Sequence, residues 1–297
     1  MQFFFEVLIG GLLAGVMYSL VALGFVLIYK ASGVFNFAQG AMVFFAALTT
    51  VGFISMGAPF WLAVALALAA MVALAFFTER VVLRPLVNQP PITLFMATIG
   101  LAFFIEGIAQ FTWGAQVHAL ELGIADEPIA WLMDRTGMNI SRFDLVASGI
   151  AAALVAGLAA FFNKTRTGRA LRAVADDHQA ALAVGISLQR IWVIVWIVAG
   201  FVALVTGLLW GARNGVQFAL TFLALKALPV LILGGFESIA GAIVGGLIVG
   251  ASEKLAEVYI GPYVGGGIES WFPYVLALAF LLVRPEGLFG ERRIDRV

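Results

Sequence analysis

The sequence NKTRTGRALRAVADDHQAALAVGISLQR, residues 163–190, is the one long polar stretch of this chain that also has the pattern of a helix. At 100° per residue its apolar side chains gather in a stripe about 100° wide, with charged and amide side chains opposite. The stripe contains Leu171, Val174, His178, Ala181, Leu182 and Gly185, and the opposite side contains Arg169, Arg172, Asp176 and Gln179. We predict an amphipathic helix in an aqueous loop, packed either on the chain's own membrane domain and the headgroup layer or on a second, soluble protein.

The overall composition assigns the chain to the membrane. Of 297 residues, 63% are hydrophobic and 11% charged, whereas a soluble domain has roughly 45–50% apolar and 25% charged residues. Net charge is zero, which gives no general attraction to nucleic acid, and the absence of cysteine excludes disulfides and thiolate chemistry. The opening MQFFFEVLIGG has no basic residue, which favours a retained first helix over a cleaved signal peptide.

Nine apolar runs have the length of membrane-spanning helices and not the short alternating pattern of a β-barrel. They lie at about residues 3–28, 40–56, 60–77, 92–113, 143–162, 191–210, 218–234, 239–258 and 271–283. We therefore predict an all-α fold, a polytopic transmembrane helical bundle of eight or nine spans in which some helices are broken or re-entrant, forming one domain over residues 1–297.

The distribution of basic residues orients these spans, because loops rich in Lys and Arg stay in the cytoplasm. With residues 163–190 in the cytoplasm, twelve basic residues lie on the cytoplasmic side and three on the outer side. The twelve are Lys30, Arg80, Arg84, Lys164, Arg166, Arg169, Arg172, Arg190, Arg284, Arg292, Arg293 and Arg296, and the three are Arg135, Arg142 and Arg213. This places the C-terminus inside and the acidic segment 114–142 outside; nine spans would also place the N-terminus outside.

A polar break between the first two spans is a candidate lining for a polar-substrate pathway. Asn36 and Gln39, followed by Gly40, offer donor and acceptor groups there. Irregular backbone at membrane depth requires protein or a water-filled cavity around it. The alternative is a plain cytoplasmic turn.

A weak internal repeat adds three candidates to this pathway. Residues 33–43 and 234–244 share five of eleven positions, and transporters often carry duplicated halves with interrupted helices. The second copy contributes Gly234, Gly235 and Glu237. Chance similarity between two segments rich in glycine and alanine is the alternative.

Charged residues inside spans are costly and therefore informative. Glu106 and Lys226 lie within spans, where they either face a pathway or form an interhelical pair with each other. Glu253, Lys254 and Glu257 lie nearer a helix end, where we expect snorkelling to relieve them.

Glycines recur at spacings that place small residues on one face of a helix. They are Gly10, Gly11 and Gly15 in the first span and Gly241, Gly245, Gly246 and Gly250 in the eighth. In lipid this pattern lets two backbones approach closely, so we expect helix packing rather than a groove-like pathway.

Motifs of catalysis are absent from the sequence. It contains no G-x-x-x-x-G-K-[ST] phosphate loop, no G-x-S-x-G and no H-E-x-x-H. The two histidines, His118 and His178, fall in opposite compartments and cannot share a metal. We predict that the chain is not an enzyme and holds no cofactor or metal, with a membrane-embedded enzyme as a remote alternative.

Three ordered blocks resemble the permeases of the branched-chain amino acid family of ABC importers, and the shorter of the two permease subunits in particular. They are GVMYSLVALGFVLIYKASGVFNFAQGAM, TRTGRALRAVADDHQAALAVGIS and KALPVLILGGFESIAGAIVGGLIVGASE. Gln179-Ala180-Ala181, followed by Gly185, is similar to the E-A-A-x-x-x-G signature of ABC importer permeases, with Gln179 in the acidic position. Permeases for urea and short-chain amides share the same blocks.

The resemblance implies a permease that translocates branched-chain or related amino acids with energy from partner ATPases. Residues 163–190 would form the cytoplasmic coupling loop, with Gly168, Arg169, Arg172, Gln179, Ala180, Ala181 and Gly185 at the ATPase surface. The implied partners are a second homologous permease subunit, two cytoplasmic ABC ATPases and an extracytoplasmic binding protein, with membrane lipid around the spans. A permease for urea or amides and a stand-alone secondary transporter are the alternatives.

Overall fold

The structure is a computed structural model that describes residues 2–86, 89–176 and 178–290; of Pro91, Asp176 and residues 178–180 it describes the backbone course only. Helices dominate the described residues, whose extended pairings are two isolated bridges, His118 with Val216 and Pro128 with Ser141. The helices are α1 Gln2–Ser32, α2 Gln39–Ser55, α3 Phe60–Phe77, α4 Pro91–Trp113, α5 Ala130–Thr136, α6 Arg142–Lys164, α7 Arg166–Asp176, α8 His178–Ala183, α9 Leu188–Asn214, α10 Leu223–Gly234, α11 Ile239–Tyr259, α12 Gly261–Val264 and α13 Phe272–Val283.

Every predicted span coincides with an apolar helical segment, which confirms the polytopic helical bundle. Six helices in the described part are long and apolar enough to cross a membrane: Gln2–Ser32, Phe60–Leu86, Ile92–Trp113, Arg142–Lys164, Leu188–Asn214 and Ile239–Tyr259. The other three predicted spans are shorter apolar helices, Gln39–Ser55, Phe218–Gly234 and Phe272–Val283.

Among the described residues, packing divides the chain into two compact units. The first is formed within Met1–Ala22, Gly123–Val155 and Leu225–Val297, and the second within Leu23–Leu122 and Ala156–Ala224. Three helices, α1, α6 and α10, contribute residues to both units.

In the first unit the predicted glycines are positions of helix packing, except Gly10, where an added Cβ would meet nothing within 4 Å. A Cβ added to Gly15 would lie 2.5 Å from the carbonyl oxygen of Gly246, and one added to Gly250 would lie 2.4 Å from that of Gly11. Side chains larger than hydrogen therefore cannot occupy these positions without separating α1 from α11. Ser19 supports the same contact, because its hydroxyl lies 3.3 Å from the Ile243 carbonyl.

The chain after α13 returns to α10 in the same unit. Leu288 donates its backbone N–H to the carbonyl of Leu233, and Phe289 donates to the carbonyl of Gly234. These bonds satisfy carbonyls that the end of a helix would otherwise leave free.

The second unit is built around α2. Most residues of this helix are buried, and it contacts α3, α4, α9 and the short 3₁₀ turn Phe218–Phe222. Burial on every side explains why α2 is apolar all round and has no polar face. Its glycines sit where neighbours come closest: Gly52 lies under the ring of Trp113.

The segment between the predicted spans 60–77 and 92–113 is helical in its first part. The helix continues as a π-helical turn, Thr78–Leu83, and then as a 3₁₀ turn, Arg84–Leu86. The sequence TERVVL contains no helix breaker, so the backbone stays helical beyond Phe77, and the π turn gives way to the 3₁₀ turn that contains Pro85.

Candidate functional site

The amphipathic segment forms two helices, α7 and α8, whose apolar stripe is covered mainly by the chain itself. Leu171, Val174 and Ala181 are buried, and both helices contact α9 within the second unit. The stripe therefore packs on the protein's own helices, which was one of the two predicted arrangements.

At its C-terminal end the predicted stripe is not covered by the described chain, since Leu182 is 53% exposed and Gly185 is also exposed. The reason is that α8 ends at Ala183. The Ile186 N–H donates to the Ala181 carbonyl at 3.0 Å and the Gly185 N–H to the Leu182 carbonyl at 3.0 Å. With Gly185 at φ +82°, this is a Schellman turn, which only glycine enters without strain.

The basic end of the segment is fastened to α6. The Thr165 hydroxyl accepts the Gly168 N–H at 3.0 Å and donates to the Phe161 carbonyl at 2.7 Å. Gly168 is buried against the end of α6, and a Cβ there would lie 2.3 Å from the Phe162 carbonyl oxygen. Gly168 is therefore a packing position at the start of α7 rather than part of an exposed surface.

The two predicted arginines differ in their surroundings. Arg169 is exposed, whereas the Arg172 guanidinium donates to the Asn163 side-chain oxygen at 2.9 Å. The side chains of Gln179 and Ala180 lie outside the described residues. The exposed part of the predicted coupling set therefore consists of Arg169 and Gly185, beside the exposed Leu182 and Val184.

A pocket of about 480 Å³, which the sequence interpretation missed, adjoins this surface. It is lined by Glu79, Leu182, Gly185, Ile186, Ser187, Leu188, Gln189 and Trp192. One of the lining residues, Gln189, is held by Arg84, whose Nη2 donates to Gln189 Oε1 at 2.6 Å. The sequence feature that could have indicated this pocket is a lone acidic residue, Glu79, two positions after the apolar run 60–77 ends.

Asn36 and Gln39 are fully buried rather than part of an exposed turn. Asn36 organises the break, since its side-chain oxygen accepts the Ala38 N–H at 3.1 Å and its amide lies 3.4 Å from Gln39 Oε1. Gln39 Nε2 has no hydrogen-bond partner among the described residues. Gly40 lies against the 3₁₀ turn, where a Cβ would meet the Thr221 carbonyl oxygen at 2.1 Å.

Gly234 and Gly235 are positions of close backbone contact in the first unit. A Cβ on Gly234 would lie 2.1 Å from the Gly241 carbonyl oxygen. Gly235 has φ +100°, and a Cβ there would lie 2.8 Å from the nitrogen of Gly290. Glu237 lies in the turn before α11 and is partly exposed. Their predicted role in a pathway stays a prediction, as does that of Asn36, Gln39 and Gly40.

The partner of Lys226 is Glu253, and Glu253 does not snorkel as expected. Lys226 Nζ lies 2.9 Å from Glu253 Oε1, which also accepts the Tyr18 hydroxyl at 3.0 Å. The Glu253 side chain is 1% exposed. The buried position is tolerated because a lysine and a tyrosine on neighbouring helices both donate to Oε1, whereas Oε2 has no hydrogen-bond partner among the described residues.

A second group of charges extends this cluster. Lys254 Nζ lies 2.9 Å from Glu269 Oε2, and the Glu257 carboxylate accepts the backbone N–H groups of Gly267 and Glu269 at 2.9 and 3.0 Å. These bonds hold the turn between α11 and α13. Glu253, Glu257 and Glu269 therefore each have a partner within the chain.

Known proteins resemble the chain over almost its whole length. LivH, the high-affinity branched-chain amino acid transport system permease protein of Escherichia coli (strain K12), is 28% identical over 310 aligned positions, covering 99% of this chain and 98% of LivH. BraD of Pseudomonas aeruginosa, a permease protein of the same description, is 28% identical over 306 positions with the same coverage.

A solved structure shares the fold. It is PsaBC from Streptococcus pneumoniae in complex with Fab, which is 13% identical with a TM-score of 0.50 and covers 92% of this chain and 89% of that chain. The family described as branched-chain amino acid transport system / permease component matches residues 7–284. This multi-pass membrane protein therefore belongs to the family of permease components of branched-chain amino acid transport systems.

Proposed function

We propose that this chain is the membrane permease subunit of an ATP-binding-cassette importer that carries branched-chain or closely related amino acids across the inner membrane. The observation that carries the proposal is the family match over residues 7–284. Relatives named as branched-chain amino acid permeases align over 99% of the chain. The substrate is thereby transferred from those relatives, and ATP hydrolysis is assigned to partner subunits.

The surface proposed to meet the ATPases is the exposed side of α7 and α8. Arg169 provides charge there, and Leu182 and Val184 provide exposed apolar area next to the turn at Gly185. Arg172, Gln179, Ala180 and Ala181 complete the proposed coupling segment, with Gly168 setting its start. Closure of two ATPases would move this segment and the flanking helices, and would drive transport only through different affinities for the outward- and inward-facing states.

Two contacts within the second unit support the proposed orientation. The bond between Arg84 and Gln189 places two basic segments side by side, as their common assignment to the cytoplasm requires. The bridge between His118 and Val216 likewise joins the segment 114–142 to the turn after α9, both assigned to the outside. We propose that 114–142 faces the binding protein and that the C-terminus is cytoplasmic.

The proposed pathway includes the buried break at Asn36, Gln39 and Gly40 and the turn at Gly234, Gly235 and Glu237. The support for the first set is that two fully buried amides lie together at the break before α2, with Gln39 Nε2 unpartnered among the described residues. A buried amide without a partner is costly. A passing polar solute would supply the missing hydrogen bond.

The test is uptake by proteoliposomes that contain this chain, its homologous permease partner, the two ATPases and the binding protein. We expect uptake of radiolabelled leucine that requires ATP inside the vesicles and all partners. Uptake driven by an ion gradient with this chain alone would contradict the proposal. Uptake of urea or acetamide but not leucine would keep the importer and replace its substrate.

A further inference from the structure

Glu79 carries a buried carboxylate that the described part of the chain does not satisfy. The residue is 6% exposed, and its Oε1 has no hydrogen-bond partner among the described residues. Its neighbours in sequence do not help: Arg80 is exposed, and Arg84 donates to Gln189. A buried carboxylate oxygen without a hydrogen-bond partner is costly, so Glu79 Oε1 is a candidate acceptor for a donor beyond the described residues.

The backbone around Glu79 is irregular in the same place. Glu79 lies in the π-helical turn Thr78–Leu83, and the buried Thr78 hydroxyl also lacks a hydrogen-bond partner in the described structure. Single π turns inside α-helices are frequent at functional sites. Two adjacent unsatisfied side chains on such a turn indicate a site that is completed by another molecule.

The walls of the pocket beside Glu79 indicate what that molecule carries. Leu182, Ile186 and Leu188 provide apolar area, and Trp192 provides an aromatic surface while its indole N–H is already bound to the Ala31 carbonyl at 3.2 Å. A carboxylate, an indole ring and aliphatic walls together suit a cation on an apolar stem. An arginine or lysine side chain has this form, and a carboxylate partner strengthens its hydrogen bonds.

We propose that this pocket receives an arginine or lysine side chain of the partner ATPase. The proposal rests on the proposed function and names the chemistry of that contact. Leu182 and Gly185 belong both to the pocket wall and to the exposed surface of α8, so a protein that docks on α8 covers the pocket. This continuity favours a protein side chain over the amine of a lipid headgroup.

Replacing Glu79 by glutamine tests the pocket, because the substitution removes charge and keeps shape. In detergent-purified complexes with the cognate ATPases, we expect Glu79→Gln to bind the ATPase roughly 30-fold more weakly than the natural chain. The thermal midpoint of the isolated permease should stay equal or rise, because an unpaired buried charge is removed. Glu121→Gln, which removes an exposed charge from the segment 114–142, is the matched control and should change neither quantity.

The outcomes separate this inference from the proposed function. If the natural chain retains no ATPase, both fall. If the natural chain binds and Glu79→Gln binds equally well, only the pocket proposal falls. If ATPase binding and the thermal midpoint of the isolated permease fall together, Glu79 is a structural residue of this chain and the proposal is overturned.

Cross-linking identifies the occupant directly, because the chain contains no cysteine and a single one reacts alone. Ser187 lines the pocket and is exposed, so Ser187→Cys carrying a benzophenone maleimide reports on whatever enters. In the complex in native membranes we expect the photoadduct on an ATPase peptide next to an arginine or lysine. An adduct on phospholipid alone would replace the ATPase by the membrane and overturn the proposal.

Discussion

Glu253 and Glu79 are both almost completely buried, yet their surroundings differ. In the first unit, Glu253 Oε1 accepts hydrogen bonds from Tyr18 and Lys226, although Oε2 has no partner among the described residues. In the second unit, Glu79 Oε1 has no partner among the described residues and borders an open pocket. A buried charge whose partners belong to the same chain holds a structure together, and a buried charge without them indicates a contact made in a larger assembly.

The largest expected effect is a loss of transport in variants of the proposed ATPase surface. Arg169→Glu and Gly185→Trp should each reduce ATP-dependent uptake to background, because they reverse a charge and add bulk on the proposed ATPase surface. Membrane insertion and the thermal midpoint of the isolated permease should change little in Arg169→Glu, since that side chain is exposed. Uptake in proteoliposomes and fluorescence-detected thermal unfolding measure the two.

Arg284→Glu is the control for this pair, because Arg284 is an exposed arginine after α13, outside the segments proposed to meet the ATPases or the binding protein. It should transport normally with ATPases bound. Normal ATP-coupled uptake by both Arg169→Glu and Gly185→Trp would remove the coupling role from α7 and α8.

The opposite behaviour is expected at Glu253. Glu253→Leu should lower the free energy of unfolding by about 3 kcal/mol, because it leaves Lys226 and Tyr18 without their acceptor. The estimate is at the lower end for a buried pair since the Lys226 side chain is 32% exposed. Reversible unfolding in mixed micelles measures the change, and Lys226→Met combined with Glu253→Leu should recover most of it. A Glu253→Leu chain as stable as the natural one would end the contrast with Glu79.

The smallest expected effect concerns the turn that ends α8. Gly185→Ala should weaken this turn by about 1 kcal/mol, because φ +82° is unfavourable for a residue with a Cβ. Gly185→Asn should cost less, since asparagine enters this region more readily. The rate of trypsin cleavage after the exposed Arg190 reports the loosening. Equal cleavage rates in all three chains would show that the turn does not depend on glycine.

Sequence alone predicted the helices well, because the length of an apolar run indicates a membrane span. In lipid the backbone N–H and C=O groups must then bond to each other, which a helix achieves. It also predicted the buried face at Leu171 and Val174 on α7 and at Ala181 on α8, since one helical period fixes which side chains share a face. It did not predict that Leu182 is exposed or that a Schellman turn at Gly185 ends α8, because periodicity does not show where a helix stops.

The candidate site was harder to predict because its features come from residues distant in sequence. Glu79 and Trp192 line one pocket although more than one hundred positions separate them in the chain. Glu253 was expected to reach water from a helix end, but the Tyr18 hydroxyl on α1 donates to its carboxylate and stabilises it in a buried position. Such compensation between helices leaves no periodic signal in a single sequence.

The hydrogen bonds at the two ends of the amphipathic segment have a mechanical consequence. At one end Thr165 bonds both to α6 and to the first turn of α7, and at the other the turn at Gly185 bonds back to α8 just before α9 begins. The Thr165 bonds join α6 directly to α7, so a displacement of α7 would be passed to α6 instead of being absorbed in a slack linker. Stiff joints of this kind convert a small displacement at the surface into a tilt of long helices.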